Sequence, residues 1–322
     1  MTARAHLVLG LLLVTCFGAS LLLPWGSLSD LWRQDATLAA AVLQELRLPR
    51  ALLALVYGAM LGAAGAAIQA LFANPLASPD LTGTTSGAAL GAVVTAYLLG
   101  FASPFALSIG AVAGALGALL LLLALAGPRA ETATLLLSGL AISALAGALT
   151  TLALALAPSP FAFYDAYDWL MGSLVDRSLS QAAFAGVPAV ATMLFLLRLR
   201  APLDALTLGE DVAQSFGVDV RRLRLEIVAL TALGVGACVA ICGAIGFIGL
   251  VAPIFARRLT GGHPGRAMLP AALIGAALLL AADLVVRGAP LGRTLPIGVV
   301  TALLGAPFFL WLVAHMRWRI ER

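Results

Sequence analysis

Long apolar runs broken by short polar interruptions fill this chain from end to end. They cover residues 7–23, 51–72, 88–100, 104–126, 134–157, 182–199, 227–247, 250–256, 270–286 and 297–314. Most are close to the 20 residues that an α-helix needs to cross about 30 Å of hydrocarbon. The pattern therefore predicts an all-α, polytopic membrane protein with about ten transmembrane helices. The run at 7–23 follows Arg4 and ends at Pro24-Trp25, as a signal peptide also would, but the spans behind it favour a retained first helix. Small residues recur at helical spacing in Gly58-x3-Gly62, Gly83-x3-Gly87-x3-Gly91 and Gly110-x3-Gly114. Such spacing lets helix backbones approach closely in lipid, where no hydrophobic drive exists between helices, and it predicts a tight bundle. No repeat or linker divides the chain, so 1–322 reads as a single domain.

Composition narrows the picture. The 322 residues are 62% hydrophobic and 11% charged, against about 25% charged in a soluble domain. All 19 basic residues are Arg and none is Lys. A P-loop needs a Lys to reach nucleotide phosphates, so ATP-driven work would fall to a separate chain. The net charge of +4 points to Arg in cytoplasmic loops rather than to nucleic acid. With both termini inside, 13 Arg fall in inner segments and 6 outside, namely Arg33, Arg47, Arg50, Arg177, Arg287 and Arg293, so both termini are expected to be cytoplasmic. The three Cys and three His make no metal constellation: Cys238 and Cys242 share a helix face and read as small hydrophobes, and His263 and His315 read as interfacial.

Three segments depart from plain membrane helix. Arg47-Leu48-Pro49-Arg50 opens the second span with two arginines on one face, able to grip an acidic partner or to snorkel to headgroups. Gln69 through Pro79, with Asn74-Pro75 and Ser78-Pro79, breaks a helix where the chain turns back. It reads equally as irregular backbone buried in protein or lining a watery cavity, and as a tight hairpin at the cytoplasmic interface. The long loop 198–224 carries 206–217, a short amphipathic helix with Glu210 and Asp211 in its first turn and Gly217 as its stop. Such a helix could dock a soluble partner, or lie on lipid. Asp283 is the lone carboxylate within an apolar run; it reads as an i,i+4 pair with Arg287, or as the ion site of a proton- or sodium-coupled secondary transporter. No pair of acids or activated nucleophile converges, so an enzyme is not expected.

The residues also carry a resemblance. Leu46-Arg47-Leu48-Pro49-Arg50, Gln69 through Ala77, Leu135-Leu136-Leu137-Ser138-Gly139, Trp169-Leu170-Met171-Gly172-Ser173-Leu174, Leu208-Gly209-Glu210, Gly243 through Pro253 and Leu295 through Phe309 stand in the order seen in FecCD-type permeases. These are subunits of ABC importers for ferric siderophores, haem and vitamin B12, with a type II importer architecture. The resemblance implies a dimer of permease subunits, homo- or heteromeric, with the path at the subunit interface. It implies two ATPase subunits that bind ATP and Mg, and a periplasmic substrate-binding protein; this chain itself needs no cofactor. By similarity Arg47, Arg50 and Arg287 meet acids of the binding protein. Leu208, Gly209, Glu210, Ala213 and Gly217, within a coupling segment at about 203–224, enter the ATPase. Asn74 and Leu76 match a cytoplasmic gate in the vitamin B12-transporting branch, and Thr132 falls near a second gate element. Thr294 replaces a Glu common in the family and Ile254 replaces a His. The implied cargo is an iron chelate, a ferric siderophore before haem or cobalamin, moved across the bacterial inner membrane.

Overall fold

The computed structural model describes residues 3–101, 103–127, 132–288 and 295–320, with side chains from 7 to 311 apart from 104 and 132. Among the described residues the regular structure is entirely helical. Each apolar run finds a helix: α1 (Ala3–Leu22), α4 (Leu48–Leu71), α5 (Thr84–Tyr97), α6 (Pro104–Ala126), α7 (Thr132–Ala155), α9 (Leu179–Arg198), α12 (Val220–Cys242), α13 (Ile248–Leu259), α14 (Pro264–Gly288) and α15 (Ile297–Ile320). Between them lie α2 (Trp25–Gln34), α3 (Ala36–Ala41), α8 (Pro160–Leu170), α10 (Arg200–Leu206) and α11 (Glu210–Ser215).

Six of these helices are long and apolar enough to cross a bilayer, and α1 with α2, bent by 49°, would make a seventh. Helices α5 and α13 are too short to cross alone. Each is preceded by chain that leaves the α-helix, 72–83 with a 3-10 turn at Pro79–Thr82, and 243–247, so both read as broken spans. The run at 227–247 is thus helical only to Cys242, where Gly243 (φ 72°) and Phe247 (φ 66°) turn the chain. Cys238 and Cys242 are buried in α12 as apolar packing, as expected.

The second span starts earlier than its apolar run suggests. Helix runs from Ala36 to Leu71, with a π-turn at Val42–Arg47. Pro49 has no N–H, and its ring would crowd the carbonyl four residues back, so a regular α-turn does not fit there. The Leu48 N–H reaches Leu43 O instead, and the helix continues past the proline. Asp35 starts this helix by accepting from the Thr37 hydroxyl and the Leu38 and Thr37 amides, and those bonds hold its carboxyl below the usual range.

Helix α4 is the centre of the bundle, with most of its length buried. It packs on α14, α9, α13 and α12. Its seam with α14 is a glycine lock: a Cβ at Gly58 would overlap the Gly275 carbonyl, one at Gly62 the Ala271 carbonyl, and one at Gly275 the Gly58 carbonyl. The α5–α6 seam repeats the device with Gly87 and Gly91 against Gly114 and Gly110. The glycine spacing in the sequence therefore marks real backbone contacts.

These seams set an expected outcome. Gly62→Ala forces α4 from α14 and should cost about 1–3 kcal/mol through overpacking. Gly117→Ala, whose new methyl meets nothing within 4 Å, should be neutral or slightly stabilising. Thermal unfolding in detergent compares the two; equal losses would show that the seam is not the constraint.

Candidate functional site

The functional candidates lie at two ends of the bundle. One end carries the α9–α12 loop and the 72–83 hairpin; the opposite end carries the arginines of α4 and α14.

At the arginine end the last carbonyls of α1 are left without helical partners, because Pro24 follows the helix. Arginines supply the missing donors. Arg47 Nη1 donates to Leu21 O at 2.9 Å and to Leu23 O at 3.3 Å. Arg287 Nη1 donates to Ser20 O at 2.6 Å, and its Nη2 to Ser20 Oγ at 3.2 Å. Beneath them sits Asp283, 0% exposed. The expected i,i+4 pair is present, with Arg287 Nη2 2.7 Å from Asp283 Oδ2. A second partner accompanies it: Arg50 Nε donates to Asp283 Oδ1 at 2.7 Å. One carboxylate thus holds two guanidiniums and ties α4 to α14, while Arg47 and Arg287 tie both to α1. Two guanidiniums against one carboxylate, with Arg47 beside them, leave the cluster with excess positive charge.

The same end contains a junction that joins three motifs far apart in sequence. The Tyr57 hydroxyl, fully buried in α4, donates to Gly243 O at 3.2 Å and accepts from Ile245 N at 3.3 Å. Ser173 N donates to Cys242 O, and Ile297 N donates to Gly172 O. Gly243 has no room for a methyl against Trp169 O, nor Gly298 against Met171 O. The motifs at 169–173, 243–247 and 295–298 are therefore one packed unit. It anchors α8, a helix the hydropathy pattern did not single out, over a cavity of about 300 Å³ lined in part by Tyr97, Asp165 and Trp169. Tyr97 holds α8 through a 2.6 Å bond to Ala162 O. On its outer side α8 exposes Phe161, Tyr164 and Tyr167. The recurrence of Phe and Tyr with Asp165 and Asp168 was the available signal for this helix.

At the loop end, the 72–83 chain is packed inside protein for much of its length, with Ala77 and Thr82 buried. The Gln69 amide donates to Leu250 O at 3.1 Å, joining α4 to the start of α13. Asn74 shapes the turn: its Oδ1 accepts from Leu76 N at 2.9 Å, and its own N–H donates to Gln69 O. Asn74 and Leu76 are half-buried at the tip. Thr132 opens α7, but its side chain lies outside the described residues, and Thr294 lies outside them altogether. Ile254 sits half-buried in α13.

The loop between α9 and α12 folds as two short helices rather than one helix over 206–217. Leu206 ends α10, and α11 begins only at Glu210 because Gly209 (φ 102°) breaks the path between them. Gly217 (φ 81°) stops α11 as the sequence suggested. Arg224 of α12 pairs with Glu210, and Ala213 is fully buried, so α11 is fastened to the bundle. Its exposed side is mixed, with Asp211, Gln214 and Ser215 beside large apolar side chains. Leu208, Val212 and Phe216, four residues apart, are 62%, 41% and 69% exposed. Among the described residues no group of three His, Cys, Asp or Glu could hold a metal.

Comparison with known proteins agrees with this geometry. The model of the FecCD transport family matches residues 6–315. The chain is 40% identical to the vitamin B12 import system permease protein BtuC of Vibrio cholerae, over 97% of this chain and 93% of that one. It is 39% identical to the Fe(3+) dicitrate transport system permease protein FecD of Escherichia coli K12, over 91% of each. A solved inward-facing structure of a metal-chelate type ABC transporter is 32% identical and superposes with a TM-score of 0.87, over 98% of this chain and all of that one. The ten helices, the breaks before α5 and α13, and the matched length lead to one assignment: the chain belongs to the FecCD transport family, as a multi-pass membrane permease of the ABC-importer type.

Proposed function

We propose that this chain forms the membrane path of a binding-protein-dependent importer that carries a metal chelate, a ferric chelate first and cobalamin second, into the cytoplasm. The observation that carries the reading is the exposure of Leu208, Val212 and Phe216 in and beside a short helix pinned at Glu210. Large apolar side chains exposed in a loop rich in polar residues mark a docking surface, and the chain has no Lys to build its own P-loop. The partner proposed for that face is an ATPase subunit. On this reading the α9–α12 loop and both termini are cytoplasmic, in the bacterial inner membrane, and two such permease subunits enclose the path.

The opposite end then faces the binding protein. Arg47, Arg50 and Arg287 are already engaged within the chain, so acidic groups of a docking protein would meet a preorganised cluster with surplus positive charge rather than free arginines. Relatives named for vitamin B12 and for Fe(3+)-citrate import are similarly close, at 37–41% identity. Both cargoes are coordinated metals, which supports the class. The ion-coupled alternative has less support, because both Asp283 oxygens lie 2.7 Å from guanidinium nitrogens and offer no open place for an ion.

Three outcomes are expected. Glu210→Arg should leave the permease dimer assembled while ATP hydrolysis no longer drives uptake in proteoliposomes; normal uptake would remove the coupling role. Arg47→Glu with Arg50→Glu should weaken binding-protein affinity at least tenfold, and unchanged affinity by surface plasmon resonance would leave these residues as internal ties alone. Asp283→Asn leaves two buried guanidiniums without their counter-charge and should lower stability by about 3 kcal/mol, read as a fall in Tm. Uptake by the parent protein that survives a dead ATPase, but collapses with the proton gradient, would instead support the secondary transporter.

A further inference from the structure

A second charged cavity lies at the loop end, away from the helix α11 face. It has a volume of about 450 Å³ and sits where the end of α9, the start of α10 and the start of α14 meet. Its floor is rigid. The Gly265 N–H donates to Asp204 Oδ1 at 2.8 Å, and a methyl at Gly265 would overlap the Arg200 carbonyl. Asp204 is thereby committed to the first turn of α14.

The walls divide by polarity. Arg200 and Arg266 line the water side, and both are exposed. Among the described residues neither makes an ion pair. Leu197, Leu269 and Pro270 line the membrane side. From there the surface continues into the apolar span through Leu194, one turn above Leu197 on α9, which is also exposed. Arg198 does not compete for the cavity, since its guanidinium stacks 5.1 Å from the Phe195 ring.

From this arrangement we infer that the cavity holds the headgroup of an anionic phospholipid, its phosphate between Arg200 and Arg266 and one acyl chain along Leu197 and Leu269. A basic recess between helices at the membrane surface suits an anionic headgroup. The apolar wall separates this ligand from a soluble anion, which would have no use for it. The lipid bridges α10 to α14 and so holds the base of the coupling loop. The site's place on the cytoplasmic leaflet rests on the orientation proposed above; binding itself does not.

The test uses the full chain, delipidated in detergent. Phosphatidylglycerol, phosphatidylethanolamine and inorganic phosphate are added separately, with bound lipid read by native mass spectrometry and Tm by thermal unfolding. The expected result is one retained phosphatidylglycerol per chain with a raised Tm, and retention at least tenfold weaker in Arg200→Ala/Arg266→Ala. That variant should keep the parent Tm without lipid, which separates a lost site from a lost fold. Equal retention by the variant, or equal binding of phosphatidylethanolamine, would overturn the inference. A Tm rise with inorganic phosphate alone would reassign the site to a free anion. Release of the lipid when ATPase subunits assemble would reassign it to the subunit interface. Neither of the last two outcomes counts against transport, so this inference can fail while the importer reading stands.

Discussion

Every backbone N–H and C=O in a lipid layer must find its partner within protein, and this fold is organised around the places where a helix cannot supply it. Three such places dominate. The last carbonyls of α1 are taken up by Arg47 and Arg287. The break at 243–247 is bonded by the Tyr57 hydroxyl and by Ser173 N–H to Cys242 O. The 72–83 hairpin is closed on itself by Asn74 and held against the start of α13 by Gln69. Each break is stitched by a side chain of α4 or its immediate ends, joined at the first by Arg287 of α14. The central helix is therefore a scaffold in two senses: glycines bring neighbours to its backbone, and its few polar side chains satisfy theirs.

The arginines at one end illustrate how one residue type serves structure and recognition together. Arg is always ionised and presents several donors in a fixed plane, so it can bond a carbonyl and a carboxylate at once. Arg287 does so, with Ser20 O on one side and Asp283 on the other. Replacement by Lys would keep the charge and lose that geometry. The absence of Lys from the chain is consistent with sites that need the planar fork.

Much of this was legible from residue pattern. The ten apolar runs each became a helix, because a long stretch without charge has few alternatives in lipid. The glycine spacing marked two of the close seams, α4 with α14 and α5 with α6, and the motif order identified the family. What escaped has a common cause, namely contact between residues distant in the chain. The i,i+4 pair of Asp283 with Arg287 could be read from spacing, but the Arg50 partner is 233 positions away. The helix at 36–47 was hidden because Gln44, Glu45 and Arg47 interrupt its apolarity, and Pro49 looked like a start rather than a proline absorbed by a π-turn. The short helix in the α9–α12 loop was placed with too early a start, since Gly209 could equally interrupt a helix or sit within one. Nothing in 169–173, 243–247 and 295–298 taken separately says that they pack as one unit.

Helix α12 has its foot at the Arg224–Glu210 pair and its head at Cys242, whose carbonyl accepts from Ser173. Its 23 residues form a rod of about 34 Å, close to the thickness of the hydrocarbon layer. A rod of that length acts as a lever. A few degrees of tilt at the foot displace the head by a few ångströms, and the head carries the mount of α8. The two faces of the membrane are thus mechanically linked by one stiff element, without a relay of side chains between them.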